Sequence, residues 1–195
     1  MSEELLVINT DNVVKETEIV EPLPLYGEGF DMLDDEIPLY TDPLPNPLMS
    51  KLVERLKLTM KLYGGIGLSA NQCGVYQRVF VLGHGDFQLV CINPKVLEVS
   101  EETIKSDEGC LSYPGLFVKI ERPAAIKVEF MTETGEVKQM MLEGLTARCF
   151  LHETEHMNGG RFIQHVKPVA MRLARQKQIK RVKKVTRAQK NGIRL

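Results

Sequence analysis

The segment HETEH at residues 152–156 places two histidines and a glutamate within five positions. On an α-helix His152 and His156 stand one turn apart on one face, so both imidazoles can reach one metal ion. Glu153, beside the first histidine, could take a proton from a water molecule at that ion. The alternative is a surface helix on which two solvated histidines lie among glutamates, because His-Glu-x-x-His also arises by chance. A metal site of this kind needs at least a third protein ligand.

A third ligand downstream of this segment, as in the common metalloproteases, finds little support in the sequence. One class of these enzymes uses a histidine six residues after the second one, but that position is Phe162. Another class uses a downstream Glu or Asp, but no acidic residue follows Glu155. His165 is the only later histidine, and its spacing is unfamiliar. The sequence therefore favours a third ligand upstream of this segment.

Cys149 lies closest to the histidine pair on the upstream side, but helical geometry argues against it as a ligand. From Cys149 to the second histidine a helix rises about 10 Å, whereas metal–ligand bonds measure about 2.0 to 2.3 Å. One ion cannot readily join both ends, so Cys149 is predicted to line the cavity wall. The alternative, for this cysteine as for the other three, is a small buried hydrophobic residue.

The remaining upstream candidate, Cys110, lies in EGCLSYPG (108–115), a turn-rich loop that could present a thiolate. Gly109 would let the backbone approach a ligand closely, and the N–H of Leu111 would then lie near the metal as a hydrogen-bond donor. A second glycine-rich piece, GGIGLSANQ (64–72), follows the first predicted helix. Its alternative interpretation is a helix C-cap and turn.

Three motifs now stand in order along the chain: GIGLSANQ (65–72), EGCLS (108–112) and HETEH. Together they resemble the three signature motifs of the peptide deformylases, metallohydrolases that remove the N-formyl group from nascent formyl-methionyl chains. The resemblance runs from about Leu23 to His165 and includes GLTAR before the motif helix and NGGRF after it. It implies an α+β domain with antiparallel β-sheets packed around a central helix that carries His-Glu-x-x-His.

Carried over residue by residue, the resemblance implies a role for each matching position. The metal ligands are Cys110, His152 and His156, with water in the fourth position. Glu153 is the general acid/base, and the oxyanion donors are the side-chain amide of Gln72 and the backbone N–H of Leu111. The substrate-binding residues are Gly65, Ile66, Gly67, Glu108, Gly109 and Cys149. The first three of these would pair with the substrate backbone, while the glutamate and the cysteine border the methionine side-chain pocket.

One divalent metal ion is implied, with Fe²⁺ expected and Zn²⁺, Ni²⁺ or Co²⁺ possible in preparations. Three positions depart from the family pattern: Ser69 replaces an alanine, Leu151 a glutamine and Glu155 an aspartate. None of them removes a ligand or the base. The longer carboxylate of Glu155 could change contacts to the ligands, and such contacts tune a metal site. We therefore expect the departures to affect the level of activity and the metal preference more than the activity itself.

Hydrophobic periodicity predicts the elements that must position these motifs. A helix is predicted between a run of prolines and Gly64-Gly65, from apolar residues at helical spacing: Leu48, Leu52, Leu56, Met60 and Tyr63. Strands are predicted at 75–83, 87–99, 116–123, 124–132 and 137–144, with a hairpin turn at 133–135. The motif helix follows, with Thr146 as its N-cap and Asn158-Gly159 as its C-terminal stop.

The charge distribution sets the two ends of the chain apart from this domain. Residues 1–50 hold twelve acidic residues and one basic residue, while twelve Lys or Arg and no acid follow Glu155. We predict an acidic extension at 1–22, a catalytic domain at 23–166 and a basic C-terminal helix or tail at 167–195. The tail carries a loose helical stripe of apolar residues: Val169, Leu173, Ile179, Val182 and Val185.

Two interpretations of this tail stay open. It is either a packed helical turn or two followed by a solvated end, or a contact to the phosphates of ribosomal RNA. If the tail contacts the ribosome, its removal is expected to leave turnover of a short formyl-peptide intact while weakening ribosome binding.

Composition and length bound the remaining possibilities. The chain of 195 residues has 43% hydrophobic and 26% charged residues, values typical of a globular domain. It has no apolar run of about 18 residues, and its acidic start lacks the features of a signal peptide, which predicts a cytoplasmic protein without a membrane span. The predicted function is metal-dependent removal of the formyl group from nascent peptides by a monomer. The alternatives are a generic metallopeptidase and a catalytically weak ribosome-binding protein that kept the fold.

Overall fold

The computed structural model describes residues 20–85 and 87–190, and the predicted acidic extension lies almost wholly outside them. Its helices are α1 (Pro47–Leu62), α2 (Gly144–Met157) and α3 (Pro168–Lys190). Its strands are β1 (Gly67–Ser69), β2 (Val79–His84), β3 (Phe87–Val99), β4 (Thr103–Gly109), β5 (Phe117–Pro123), β6 (Ala125–Met131) and β7 (Val137–Glu143). Short 3-10 helices connect these elements at Asp31–Asp34, Ala70–Cys73 and Phe162–His165.

Two antiparallel sheets form the β portion of the fold. Strands β1, β2, β3, β6 and β7 make a five-stranded sheet in that spatial order, and β4 pairs with β5 as a separate ribbon. The predicted hairpin turn at 133–135 joins β6 to β7, and Gly135 provides the positive φ of 85° that this turn requires. Strand β4 was missed because its sequence TIKSDEG is mostly polar, and only pairing with β5 makes it a strand.

Helix α2 lies at the centre of the molecule and packs against β1, β2 and β7. Its fully buried Phe150 makes an edge-on contact with Phe80 of β2, with ring centroids 5.1 Å apart. This arrangement of antiparallel sheets around the motif helix confirms the predicted α+β fold.

The prediction of Thr146 as the N-cap of α2 is wrong, because the helix begins three residues earlier than an N-cap there would allow. The N-cap is Glu143, the last residue of β7. Gly144 adopts φ 55°, which turns the chain from strand to helix without a loop. The predicted stop holds, since Asn158 is the C-cap.

Helix α1 begins and ends where the prolines and glycines predict, but its buried face differs from the apolar stripe. Asn46 caps the helix by accepting a hydrogen bond from the Leu48 N–H at 2.9 Å. Leu48 is 79% exposed and Tyr63 is 51% exposed. The buried residues of the helix are Met49, Val53, Leu56, Thr59 and Met60. The stripe therefore identified the helix but marked only part of its packed face.

The basic tail forms helix α3, which packs against strand β5 of the β4–β5 ribbon. Ala174 is buried against Phe162 and its neighbours in the third hydrophobic cluster, which also includes Tyr113 and Ile120. The apolar stripe predicted for the tail is exposed at every one of its positions: Val169, Leu173, Ile179, Val182 and Val185. Ala174, a buried residue of the helix, is thus not part of the predicted stripe. None of the helices in the described part of the chain is both long and apolar enough to span a bilayer.

Candidate active site

Three ligand-type side chains converge between the β4–β5 ribbon and α2. The sulfur of Cys110 and a nitrogen of each of His152 and His156 lie within 4.8 Å of one another. Cys110 Sγ is 3.3 Å from His156 Nε2. A tetrahedral site with bonds of about 2.3 Å to sulfur and about 2.0 Å to nitrogen has ligands about 3.3 to 3.5 Å apart. The thiol and imidazole donors therefore fit a divalent metal ion.

Helix α2 supplies both histidines from one face, as the spacing predicts. The two rings meet edge to face with centroids 5.0 Å apart. Burial, followed by the charge of His152, lowers the pKa of His156 well below its ordinary value, which keeps this imidazole neutral with a lone pair available to a metal. Burial alone would lower the pKa of His152, but hydrogen bonds to Cys110 and Glu108 raise it well above the ordinary value. The position thus stabilises positive charge, as a bound cation requires.

The carboxylate of Glu108, at the end of β4, holds His152 in place. Its Oε1 lies 2.7 Å from His152 Nδ1, which leaves Nε2 free to face the thiol. The same carboxylate accepts hydrogen bonds from Arg122 Nε at 2.8 Å, from Arg122 Nη2 at 2.5 Å and from Arg148 Nη1 at 3.0 Å. Burial raises the pKa of Glu108, but the hydrogen bonds from Arg122 and His152 outweigh burial and leave it far below its ordinary range. Glu108 is therefore ionised.

Glu155, one of the three departures, belongs to the same charged network. It accepts hydrogen bonds from Arg122 Nη1 at 2.7 Å and Nη2 at 3.1 Å. His165 Nε2 lies 2.6 Å from Glu155 Oε1. Arg122 thus bridges Glu155 on α2 and Glu108 on β4. Through Arg122, the carboxylate of Glu155 is therefore connected to Glu108, which contacts His152.

Glu153 is buried beside the two histidines in a different environment. Its Oε2 has no hydrogen-bond partner among the described residues. Burial raises the pKa of Glu153 to about 7, against smaller lowering effects of His152 and Ser69. A carboxyl group with a pKa near neutrality is suited to both accepting and releasing a proton. Ser69, another of the three departures, thus influences the pKa of the Glu153 carboxyl group.

The side-chain amide nitrogen of Gln72 points towards the sulfur of Cys110. Gln72 Nε2 donates to Ser112 Oγ at 3.0 Å and lies 3.3 Å from Cys110 Sγ. Its Oε1 accepts from the backbone N–H of Ser69 at 3.0 Å and from the Ser69 hydroxyl at 2.9 Å. The orientation of the amide is fixed by these contacts, so its N–H groups face the Cys110 side of the cavity. Leu111 follows Cys110 directly and lines the same cavity.

A cavity of about 510 Å³ opens beside these groups. Its walls include every residue assigned to substrate binding by the resemblance: Gly65, Ile66, Gly67, Glu108, Gly109 and Cys149. Burial, with the charges of Glu153 and Glu108, raises the pKa of Cys149 well above its ordinary value, so this side chain is a neutral thiol. Cys149 Sγ donates to Ile66 O at 3.4 Å. The structure thus places Cys149 in the cavity wall and outside the ligand cluster.

Sequence analysis missed the two arginines that hold the network together. Arg122 and Arg148 are buried, and Arg148 also donates to Ile120 O and Ile104 O of the ribbon, at 3.1 and 2.5 Å. Arg122 is separated from Glu108 by 14 positions and from Glu155 by 33. A local pattern cannot show such a pairing. The one available signal was an arginine in an alternating strand, which alone favours a solvated position.

Comparisons with known proteins agree with this geometry and confirm the predicted resemblance. The family model for polypeptide deformylase matches residues 35–172. A peptide deformylase of Thermotoga petrophila is 43% identical over 129 residues, which are 66% of this chain and 79% of the relative. The crystal structure of peptide deformylase from Thermotoga maritima has a TM-score of 0.72 at 38% identity, covering 75% of this chain and 99% of that one.

A structure from Synechococcus elongatus, a peptide deformylase in complex with actinonin, has a TM-score of 0.76 at 27% identity and covers 91% of this chain and 94% of that one. A structure of the Acinetobacter baumannii peptide deformylase with Met-Ala-Ser bound has a TM-score of 0.73 at 28% identity, covering 76% of this chain and 100% of that one. The chain belongs to the polypeptide deformylase family.

Proposed function

We propose that the chain removes the formyl group from the N-terminal formyl-methionine of nascent polypeptides at the site formed by Cys110, His152 and His156. Membership of the family makes the chain a hydrolase that acts on formyl-peptides. The observation that carries the proposal for this site is the convergence of one sulfur and two nitrogens within 4.8 Å beside a buried carboxyl group. Thiolate and imidazole ligands on three sides leave a further position for water or substrate.

The three ligands would hold one divalent metal ion. When bound, such an ion acts as a Lewis acid and lowers the pKa of water. A mixed sulfur and nitrogen donor set accepts Fe²⁺, and also Zn²⁺, Ni²⁺ or Co²⁺. We propose Fe²⁺ as the native metal, with the other three as substitutes.

The protein groups around the ion account for the remaining chemistry. Glu153 takes a proton from the attacking water and delivers it to the leaving amine, a double role that a pKa of about 7 favours. As the C–N bond of the formamide breaks, formate and a free amino terminus result. The Gln72 amide and the Leu111 N–H would stabilise the oxyanion that develops on the formyl oxygen.

Substrate binding is proposed along the segment that leads into β1 and along the first residue of this strand. In the described part of the chain this strand lies at the edge of the five-stranded sheet, so one side of its backbone faces the cavity. Gly65, Ile66 and Gly67 would pair with the peptide backbone as an added strand does. The methionine side chain would enter between Glu108 and Cys149.

A formate-release assay tests the proposed function. Purified protein, kept anaerobic, is given formyl-Met-Ala-Ser, and a second substrate blocked at both ends reports on cleavage of internal peptide bonds. We expect formate release without internal cleavage. Internal cleavage would favour the generic metallopeptidase. Activity that is equally low in the wild type and in Glu153→Ala would favour the catalytically weak ribosome-binding protein.

Metal content, measured on the same sample, tests the ligand assignment separately. About one equivalent of metal is expected in the wild type, and Cys110→Ala should lose it. Cys149→Ala is the matched control, because it removes a thiol from the cavity wall but none from the ligand cluster. Metal retained by Cys110→Ala, or none in the wild type, would contradict the assignment.

We also propose that α3 contacts RNA phosphates near the ribosomal exit tunnel. Lys177, Lys180 and Lys184 are exposed and lie on one side of the helix at spacings of three and four residues. Such a basic stripe without aromatic side chains binds phosphates rather than bases. Replacing the three lysines by Gln should weaken ribosome binding and reduce the salt slope by about 2 to 3, at about 0.7 to 0.9 per lost contact.

Three exposed lysines outside α3 provide the control: Lys61, Lys105 and Lys119. Their replacement by Gln removes the same charge and should leave ribosome affinity nearly unchanged. Equal weakening in both triple variants would indicate a general charge effect, and no weakening in the α3 variant would exclude this stripe as the contact.

A further inference from the structure

The loop of residues 113–117, named the YPGLF loop, forms one wall of the cavity and follows the Cys110 segment directly. All five of its residues line the cavity. The Tyr113 N–H donates to Cys110 O at 2.9 Å, and the Leu116 N–H donates to Tyr113 O at 3.0 Å. Because the loop is tied to Cys110 by this turn, its position affects both the cavity and the candidate ligand.

Side chains of helix α3 donate hydrogen bonds to two consecutive carbonyl groups in the middle of the YPGLF loop. Gln178 Nε2 donates to Pro114 O at 2.9 Å, and Arg181 Nη1 donates to Gly115 O at 3.3 Å. The amide of Gln178 is itself oriented, since its Oε1 accepts from Arg175 Nη1 at 3.0 Å. Two of the five carbonyl groups in the loop are therefore held by α3.

Gly115 allows the loop to lie directly on the helix. It adopts φ 75°, a conformation that favours glycine. The three heavy atoms nearest to a Cβ at this position would all belong to α3 side chains, namely Val182 at 3.4 Å, Gln178 at 3.8 Å and Arg181 at 3.9 Å. Gly115 thus packs closely against α3, beside the two hydrogen bonds that Gln178 and Arg181 donate to the loop.

Arg181 also contacts the last residue of the loop. Its guanidinium carbon lies 5.0 Å from the centroid of the Phe117 ring, within the range of a cation–π interaction. The same ring covers Gly109, where a Cβ would come within 2.8 Å of it. Arg181 therefore contacts the Phe117 ring, which in turn packs over Gly109, the residue next to Cys110.

A second connection runs from α3 through Glu28 to Ser112, the residue before the YPGLF loop. Arg175 forms an ion pair with Glu28, and the Glu28 N–H donates to Ser112 O at 2.9 Å. The helix thus contacts the cavity wall directly and also connects, through Glu28, to the residue that precedes the YPGLF loop.

We infer that Gln178 and Arg181 are positioning residues for the substrate cavity, because they hold the YPGLF loop against α3. Neither side chain is among those that line the cavity, so both act through the loop. The inference rests on the proposed function, in which this cavity binds the formyl-peptide. It replaces the expectation drawn from the sequence that removing the whole tail leaves short-peptide turnover intact, since removal at residue 167 would take away both donors.

Hydrogen exchange of the full-length chain tests the contact without relying on activity. In Gln178→Ala/Arg181→Ala the amides of the YPGLF loop should exchange about 5- to 30-fold faster than in the wild type, which corresponds to the loss of two exposed hydrogen bonds and a cation–π contact. Gln176→Ala/Lys183→Ala is the matched control, because each position lies two residues, or about 200°, around the helix from its counterpart. Equal exchange in the two double variants would overturn the inference.

Kinetics with formyl-Met-Ala-Ser tests the consequence for substrate. The Gln178→Ala/Arg181→Ala variant should raise KM about 3-fold or more while kcat stays within about 2-fold, because uniform binding is weakened and the reacting groups stay in place. Arg181→Lys, which keeps the charge but loses the planar contact, should show an intermediate KM. Faster exchange with an unchanged KM would overturn the role in substrate binding. Absence of formate release from the wild type would reject the proposed function, while hydrogen exchange would still decide whether α3 holds the loop.

Discussion

Two buried glutamates that line the same cavity, Glu108 and Glu153, have pKa values shifted in opposite directions. Glu108 is surrounded by Arg122, Arg148 and His152, and these partners hold its pKa far below the ordinary range despite burial. Glu153 lacks a partner for Oε2 among the described residues, and burial raises its pKa to about 7. Residues of one chemical type thus differ because of their neighbours. Glu108 is suited to hold a ligand, and Glu153 is suited to exchange a proton.

Glu153→Gln should lower kcat by about 10² to 10⁴-fold while metal content stays at the wild-type level, because the amide removes proton transfer but no ligand. In the wild type the rate falls as pH drops through the pKa of Glu153, since the base must be ionised. A bound cation lowers that pKa from about 7, so the acid limb of kcat/KM should lie below pH 7. An acid limb that persists in Glu153→Gln would contradict this assignment.

Gly67 is a residue whose missing side chain makes room for the carboxyl group of Glu153. A Cβ there would lie 2.6 Å from Cys149 Sγ and would overlap Glu153 Oε1. Gly67→Ala should therefore displace Glu153 and lower kcat/KM by about 10²-fold, the effect of a shift of about 1 Å at a reacting group. Gly27→Ala is the control, because its Cβ would make an ordinary contact of 3.7 Å with Ser112 O. Equal kcat/KM values for the two variants would show that the site accommodates the methyl group.

At the scale of elements, a charged network joins the β4–β5 ribbon to α2. Glu108 and Arg122 belong to the ribbon, while Arg148 and Glu155 belong to the helix. Arg148 also donates to two backbone carbonyls of the ribbon. Cys110 follows the β4 strand of the ribbon directly and the helix carries both histidines, so the network constrains the spacing of the three candidate ligands.

Glu108→Gln tests this network through stability. The substitution leaves buried guanidinium groups without their shared carboxylate and should reduce the free energy of unfolding by about 3 to 5 kcal/mol at pH 7. The folded-state pKa of Glu108 is depressed, so its contribution is present above the ordinary pKa of 4.5 and is lost as pH falls through the folded value. Urea denaturation should therefore show a smaller difference at pH 3 than at pH 7. Glu98→Gln, which disrupts an exposed ion pair with Lys127, should change stability little.

Helix α1 offers a test of its register within one element. Leu56 is fully buried and Leu48 is 79% exposed, although both belong to the predicted apolar stripe. Leu56→Ala should reduce the free energy of unfolding by about 2 to 5 kcal/mol, whereas Leu48→Ala should change it by less than about 0.5 kcal/mol. Similar losses for both variants, measured by urea denaturation, would show that the stripe itself is the packed face.

For the whole molecule, a metal ion would connect parts of the chain that are distant in sequence. Cys110 and His156 are separated by 46 positions and lie on different elements. A ligand that binds only the folded chain stabilises it, by about 2.7 kcal/mol at a hundredfold excess over Kd. Removal of metal by a chelator should therefore lower Tm, and return of metal should restore it. Cys110→Ala should show the same Tm with and without metal, and a full response in this variant would contradict the ligand set.

The sequence by itself determined the elements and motifs that depend on local order. Strand β3 spans the predicted residues, 87–99, because its apolar run and flanking turn residues are neighbours in the chain. The position of the two histidines on one face follows from the period of the helix, and the absence of any acid after Glu155 favours Cys110 as the third ligand. Each of these conclusions uses residues within one element or the absence of a residue type from a segment.

Only the tertiary structure decided which distant groups meet. Arg122 reaches Glu108 and Glu155 because the ribbon folds against α2, and no periodicity records that contact. The packed face of α1 depends on the sheet it covers, and the position of α3 on the YPGLF loop depends on the path of the whole chain. Local patterns are set by steric preferences and side-chain spacing, whereas these pairings are set by how the elements pack in space.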